Sequence, residues 1–287
     1  MADAAYQYGV FDILRAKDLN ELDRNIQISR EKGNELFAVG LYSTELCKNL
    51  GISEPLKSLE DRMKIMEQIS GVDFVFPVYS LDQNIINKYL KEAYKLYCQN
   101  REKQTDKKKK MYEIGYAPGT YDLFHAGHLE NLTIAAKYCE KLIVGVKSDE
   151  LVMEHKHKVP IISDEERMEI LRHFKFVYDV YKYHTRDPRM ADKWIRAKYG
   201  KGIGSVFMGS ELKEDFKDIK GIKITFTPRS KEKMETRSTT AYRTIKLGRD
   251  KKKTTYTGNS EAGRKLREKA IKERVNTIKL NDTGRTD

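Results

Sequence analysis

Three blocks of this chain recur in the same order, and that internal repeat constrains the fold more than any other feature of the sequence. Gly9 to Leu19 aligns with Gly119 to Leu129, Val39 to Leu46 with Val144 to Leu151, and Glu60 to Ile65 with Glu165 to Ile170. The first block is shifted by 110 residues and the later two by 105, so the first copy carries about five extra residues, placed around Ile28 to Asn34. A chain of 287 residues is long enough for two domains of ordinary size. What differs between the copies therefore carries the functional information.

Each copy reads strand, loop, helix, strand, helix, loop, helix, strand. In the second, 112–117 is a predicted strand, 129–139 a helix and 141–146 an apolar run of strand length. Asp164-Glu165-Glu166 opens a helix whose acids suit its positive N-terminal end, and 203–208 and 222–227 read as later strands. Strands alternating with helices predict an α/β class of fold: two tandem Rossmann-like domains, each a parallel sheet flanked by helices. The expected boundaries are residues 1–98 for the first repeat, 99–110 for a charged linker, 111–248 for the second repeat and 249–287 for a basic tail. Within that tail, 261–280 reads as a charged helix with Ser260 as its cap.

The formal net charge of +12 is compatible with nucleic acid, an anionic membrane surface or phosphorylated small molecules as partners. Much of it lies in the runs Lys107 to Lys110 and Lys251 to Lys253, which read as solvated linker and tail, so no nucleic-acid site is expected. No window approaches 18 continuous apolar residues, and residues 1–6 lack the basic and apolar regions of a signal peptide. Cys47, Cys98 and Cys139 are odd in number, far apart and without metal-ligand spacing. Together these predict a cytoplasmic protein with no stable membrane insertion.

The chemistry concentrates in Gly119-Thr120-Tyr121-Asp122-Leu123-Phe124-His125-Ala126-Gly127-His128, between a predicted strand and a predicted helix. Two histidines three residues apart can face one site. Gly127 lets a phosphate approach the backbone, and the helix start offers free N–H groups and a positive dipole end. Imidazole donors suit an oxyanion that gains charge in a transition state. These features describe a site for nucleotide phosphates.

This segment resembles the HxGH nucleotidyltransferase superfamily, and within it the cytidylyltransferases that act on glycerol 3-phosphate, phosphocholine or phosphoethanolamine. The resemblance covers residues 112 to about 248. It implies that His125, His128 and Lys156 are catalytic. Gly119, Thr120, Tyr121, Asp122, Gly127, Lys158, Arg167 and Gly209 would bind nucleotide or phosphate. Arg229 and the segment Arg237 to Arg243 resemble the superfamily's second signature, which implies that Arg229, Ser238, Thr239, Thr240 and Arg243 hold the outer phosphates. It also implies Mg²⁺ carried with CTP, and no dedicated metal site.

Three departures from the family pattern stand out. Lys175 to Val180 replaces Arg-Tyr-Val-Asp-Glu-Val, keeping the charge of the arginine but losing its planar fork. The spacing from Arg229 to Ser238 is about four residues longer than usual. Met208-Gly209-Ser210-Glu211 replaces a Gly-Asp pattern. In the first copy, His125, Gly127 and His128 correspond to Arg15, Lys17 and Asp18, and Lys156 to Gly51. An aspartate facing a phosphate is electrostatically wrong. The first repeat is therefore expected to be inactive and to serve as an internal pseudo-dimer partner, with a homodimer as the other arrangement.

The resulting expectation is transfer of CMP from CTP to a small phosphorylated alcohol, glycerol 3-phosphate before phosphocholine or phosphoethanolamine. The acceptor's phosphate, largely dianionic at neutral pH with a second pKa of about 6, is its own nucleophile. His125 and His128 would serve the α-phosphate and bridging oxygen, Lys156 the acceptor and α-phosphate, and Asp122 would orient its neighbours. Two other readings are an adenylyltransferase of the same fold, making FAD or an ADP-sugar, and a non-catalytic nucleotide-binding scaffold. Trp194, the single tryptophan, suits either a choline contact or packing within a helix over 189–199.

Overall fold

The computed structural model describes residues 4–103 and 109–228. In the first half, β1 (Ala4–Gly9), α1 (Ala16–Glu31), β2 (Leu36–Tyr42), α2 (Thr44–Asn49), α3 (Leu59–Met66), β3 (Phe74–Val78) and α4 (Gln83–Lys103) follow one another. The second half has β4 (Tyr112–Gly119), α5 (Ala126–Tyr138), β5 (Cys139–Lys147), α6 (Asp149–Lys156), α7 (Asp164–Arg172), β6 (Asp179–Tyr183), α8 (Pro188–Tyr199), β7 (Ser205–Gly209) and β8 (Ile224–Thr227). Two short 3-10 turns, Ser210–Leu212 and Glu214–Phe216, lie between β7 and β8. The strands form one sheet of order β1-β2-β3 and another of order β6-β5-β4-β7-β8, all pairs parallel. This is the α/β architecture that the alternation of strands and helices predicts.

The two halves make the same local bonds at corresponding positions. Ser43 and Ser148 cap α2 and α6 by accepting the N–H of Leu46 and Leu151, and Ser58 and Ser163 cap α3 and α7 by accepting that of Asp61 and Glu166. Each such cap stabilises its helix by about 1 kcal/mol. Asp12 accepts the N–H groups of Leu56 and Lys57, and Asp122 those of Ile161 and Ile162. Arg62 donates to the carbonyls of Lys57 and Val10, and Arg167 to those of Ile162 and Thr120. The two sheets are thus each pinned by one buried arginine and one carboxylate.

One apolar cluster runs between the sheets. Leu19, Leu22 and Ile26 of α1, Ile65 and Met66 of α3, Leu129 and Leu132 of α5, and Ile170 and Leu171 of α7 belong to it. α1 packs against α7, and α3 against α5. At the centre Ile69 and Phe174 form an antiparallel bridge, 105 residues apart like the later aligned blocks. Around it the N–H of Ser70 donates to the carbonyl of His173 and that of Lys175 to Gln68. The Nζ of Lys175 donates to the carbonyls of Glu67 and Val72, so this lysine bonds across the halves without a planar fork. On the outer faces, α4 covers the first sheet through Tyr89, Leu90 and Tyr94, and α8 covers the second through Ala191 and Ile195.

Several extents differ from the sequence reading. α5 begins at Ala126 rather than 129, because His125 itself caps it. α4 continues through Lys103, into the segment expected to be linker. Its last turns are built of good helix formers, Gln99, Arg101, Glu102 and Lys103. The extra residues of the first half lie in the longer α1 and its turn at Gly33 (φ +86°), whereas α5 passes directly into β5. The helix read over 261–280 lies outside the described residues.

Candidate active site

The loop from β4 to α5 is held in an uncommon backbone shape. Tyr121 (φ +56°) and Leu123 (φ +48°) are both left-handed, a conformation that surrounding structure must impose on non-glycine residues. The Tyr121 hydroxyl donates to the Ala117 carbonyl at 3.0 Å, folding the ring back over the strand end. A Cβ on Gly119 would lie 2.6 Å from that ring, so the close approach of Tyr121 favours glycine there.

His125 is buried, and its Nδ1 accepts the Gly127 N–H at 3.1 Å. In the neutral ring that bond puts the proton on Nε2, making it a donor. The rings of His125 and His128 stack at 3.8 Å between centroids, and His128 sits edge-on to Tyr121 at 5.2 Å. The pair therefore stands at the N-terminus of α5, where the helix dipole favours negative charge.

Beside it is a cavity of about 560 Å³ above the carboxyl ends of β4, β5, β6 and β7, where ligands bind in open parallel sheets. Of the residues singled out from sequence, Gly119, Thr120, Tyr121, Asp122, His128, Lys156, Lys158 and Gly209 line it. The Nζ of Lys156 donates to the Thr120 hydroxyl at 3.2 Å, joining the end of α6 to the loop after β4. His157 (φ +48°) closes α6 in a left-handed turn, and that turn sets Lys156 and Lys158 on either side. His125 stands behind His128 in the wall.

Two of the expected residues do not line the cavity. Arg167 is 1% exposed, and its donors reach the carbonyls of Ile162, Thr120 and Lys147 and the carboxylate of Asp149 at 2.6 Å. It braces the site from below and does not line the cavity, and Arg62 is buried in the same way in the other half. Gly127 gives its N–H to His125 and borders a separate cleft against α3, with Asp61 and Lys64, not the main cavity. Arg229, Ser238, Thr239, Thr240 and Arg243 lie outside the described residues. Trp194 packs on Tyr181 at 4.6 Å, and its ring is covered by Lys198, so it belongs to the outer layer of α8.

The cavity also contains residues the motif does not mark. Lys147 ends β5, Tyr183 ends β6, and Thr185, Arg186 and Asp187 follow it. Burial first, and then the charges of Lys156, Arg186 and Arg167, bring the Lys147 ammonium down to about 8. Arg186 donates to Asp215 at 2.7 Å and lies over the Phe216 ring at 5.1 Å. Asp187 caps α8 and pairs with Arg189. The signal for Lys147 was a lysine ending an otherwise apolar run, Leu142 to Val146, where the first copy has Tyr42. Among the described residues, no group of three or more His, Cys, Asp or Glu side chains is placed to hold a metal ion.

A family model described as cytidylyltransferase-like matches residues 116–256. Over 73 residues the chain is 36% identical to a probable ethanolamine-phosphate cytidylyltransferase of Encephalitozoon cuniculi, covering 25% of this chain and 23% of that protein. Over 68 residues it is 44% identical to a probable choline-phosphate cytidylyltransferase of Schizosaccharomyces pombe, covering 23% and 18%. Over 62 residues it is 40% identical to an FAD synthase of Pyrococcus horikoshii, covering 22% and 42%. The matched segments thus span well under two thirds of each relative's length.

Proposed function

We propose that this chain, whose residues 116–256 match the cytidylyltransferase-like family model, transfers CMP from CTP to the phosphate of a small phosphorylated alcohol. The observation that carries the reading is the stacked His125–His128 pair at the start of α5, set beside a cavity rimmed by Lys147, Lys156, Lys158 and Arg186. An acceptor phosphate oxygen attacks the α-phosphorus of CTP. The bond from that phosphorus to the bridging oxygen breaks, and pyrophosphate leaves. The nucleophile is already an anion, so the protein supplies alignment and charge neutralisation rather than a strong base. His128, with His125 oriented behind it, donates toward the α-phosphate and bridging oxygen. Lys156, steadied by Thr120, serves the acceptor and α-phosphate. The second signature, Arg229 to Arg243, would hold the outer phosphates. Mg²⁺ fits as an ion brought on the nucleotide phosphates, which needs few protein ligands.

The first half is read as a stand-in for a second copy. The pairing of Ile69 with Phe174 and the crossed contacts of α1 with α7 and α3 with α5 support this. The described first sheet stops at β3, with no counterparts of β7 and β8, in keeping with loss of the histidines there. Light scattering is expected to give a monomer, and a tight dimer would count against the stand-in role.

A second donor is kept in view by the 40% identity to an FAD synthase. The deciding experiment is pyrophosphate release with Mg²⁺, crossing CTP and ATP against glycerol 3-phosphate, phosphocholine, phosphoethanolamine and FMN, beside His128→Ala. Turnover with CTP and a phosphorylated alcohol, lost in the variant, supports the reading. Turnover confined to ATP and FMN replaces it, and nucleotide binding without turnover points to a scaffold.

A further inference from the structure

The cavity carries more positive charge at one end than the transfer step uses. In sheet order Lys147 and Arg186 lie on the β5 and β6 side of β4, whereas β7 and β8 lie on its other side. The Lys147 ammonium is half-buried and has no hydrogen bond or ion pair among the described residues. The charges that act on it most, Lys156, Arg186 and Arg167, are all positive. An ammonium shielded from water among like charges is unfavourable until an anion joins it. Two of the cavity's carboxylates are committed elsewhere: Asp122 accepts two backbone N–H groups, and Asp187 holds the start of α8 and Arg189. Glu211 lies on the other side, after β7. Arg186 is steered by Asp215 and covers the Phe216 ring, so a cationic acceptor would meet a guanidinium on that aromatic face.

We propose that Lys147 and Arg186 form a second anion subsite, so that the acceptor carries a carboxylate or second phosphate at the end remote from its reacting phosphate. This rests on the nucleotidyl-transfer reading of the same cavity. It separates this chain from enzymes whose acceptor ends in an ammonium group.

A matched set of probes tests it on the full-length protein. 3-Phosphoglycerate and glycerol 3-phosphate differ by a carboxylate in place of a hydroxymethyl group, and phosphoethanolamine ends in an ammonium. Calorimetric titration is expected to show 3-phosphoglycerate binding about tenfold or more tighter than glycerol 3-phosphate, and phosphoethanolamine weakest, since a charge-assisted hydrogen bond is worth about that factor or more. In Lys147→Gln and in Arg186→Gln the ratio of the first two should collapse toward one. Arg186 stands at the exposed rim, so its variant folds even where the Lys147 one does not. Phosphoethanolamine binding as tightly as 3-phosphoglycerate, equal weakening of all three probes in the variants, or no binding of any probe overturns the subsite. Pyrophosphate release from CTP tests the other reading separately. A preserved binding preference without turnover sinks the transfer reading alone, and turnover that prefers phosphoethanolamine sinks the subsite alone.

Discussion

Arg15 and Glu166 join the two halves through a paired ion contact, Nε to Oε1 at 2.6 Å and Nη2 to Oε2 at 2.9 Å. The position that holds His125 in one half thus holds, in the other, an interdomain clamp. Glu166 also accepts the N–H of Ala16 at 3.2 Å, capping α1 from across the interface, and it precedes Arg167, which braces the loop of Thr120. The pair is partly buried, so Arg15→Ala is expected to lower stability by about 1–2 kcal/mol. A urea denaturation midpoint unchanged from the parent would show that the clamp does not form in solution.

Restoring the lost motif should not restore a site. A variant with Arg15→His, Lys17→Gly and Asp18→His recovers the histidines of the first half. The described first sheet still ends at β3, without the strands that wall the cavity of the second half. Calorimetry with CTP is expected to show one nucleotide bound per chain, as in the parent, and two would overturn this account of the first half.

Asp122 is a scaffold residue, because Asp12 makes the same pair of bonds where the histidines are absent. A carboxylate accepting two backbone N–H groups leaves both exposed to loss when it is truncated. Asp12→Ala and Asp122→Ala should therefore each destabilise by roughly 2–4 kcal/mol. Comparable costs in urea titrations support the scaffold role. A near-neutral Asp12→Ala would mean that the shared geometry carries no shared energy.

The two histidines should separate by what else they hold. His125 caps α5 and orients the motif, so His125→Asn keeps a capping side chain and is expected to fold within about 1 kcal/mol of the parent. His128→Ala removes a cavity donor. Each should lower turnover by roughly 10²–10³ with the pyrophosphate assay as readout. Full activity in His125→Asn would show that only the cap matters there.

The sequence made the architecture legible because β2 and β5 are apolar runs that no exposed segment needs, and because the blocks around them recur. It also located the loop of His125 and His128, whose residue types suit phosphate in any fold. It did not show the inward bonds of Arg167, since a motif shows a charge but not where its donors point. Only the packing of α7 under β5 puts that guanidinium among four oxygen atoms. Lys147 was passed over for the converse reason. A lysine ending a strand ordinarily reaches water, and only the arrival of the loops after β6 and β7 encloses it.

That enclosure gives Lys147 a pH signature with a definite sign. Its ammonium titrates at about 8 in the folded chain, below the ordinary lysine value of 10.5. Below pH 8 the group is charged in both states, and the folded protein bears the penalty of burial among cations. Between pH 8 and about 10.5 the unfolded chain binds more protons than the folded one, so this group makes stability rise with pH. Lys147→Met should raise stability below pH 8 and flatten that rise, read from urea midpoints at a series of pH values. An anion bound beside Lys147 would hold the proton on, so acceptor binding near pH 8 should take up protons. Titrations in buffers of different ionisation enthalpy would then give different apparent heats, and Lys147→Met should abolish the difference. Buffer-independent heats in the parent would mean that Lys147 does not face the acceptor.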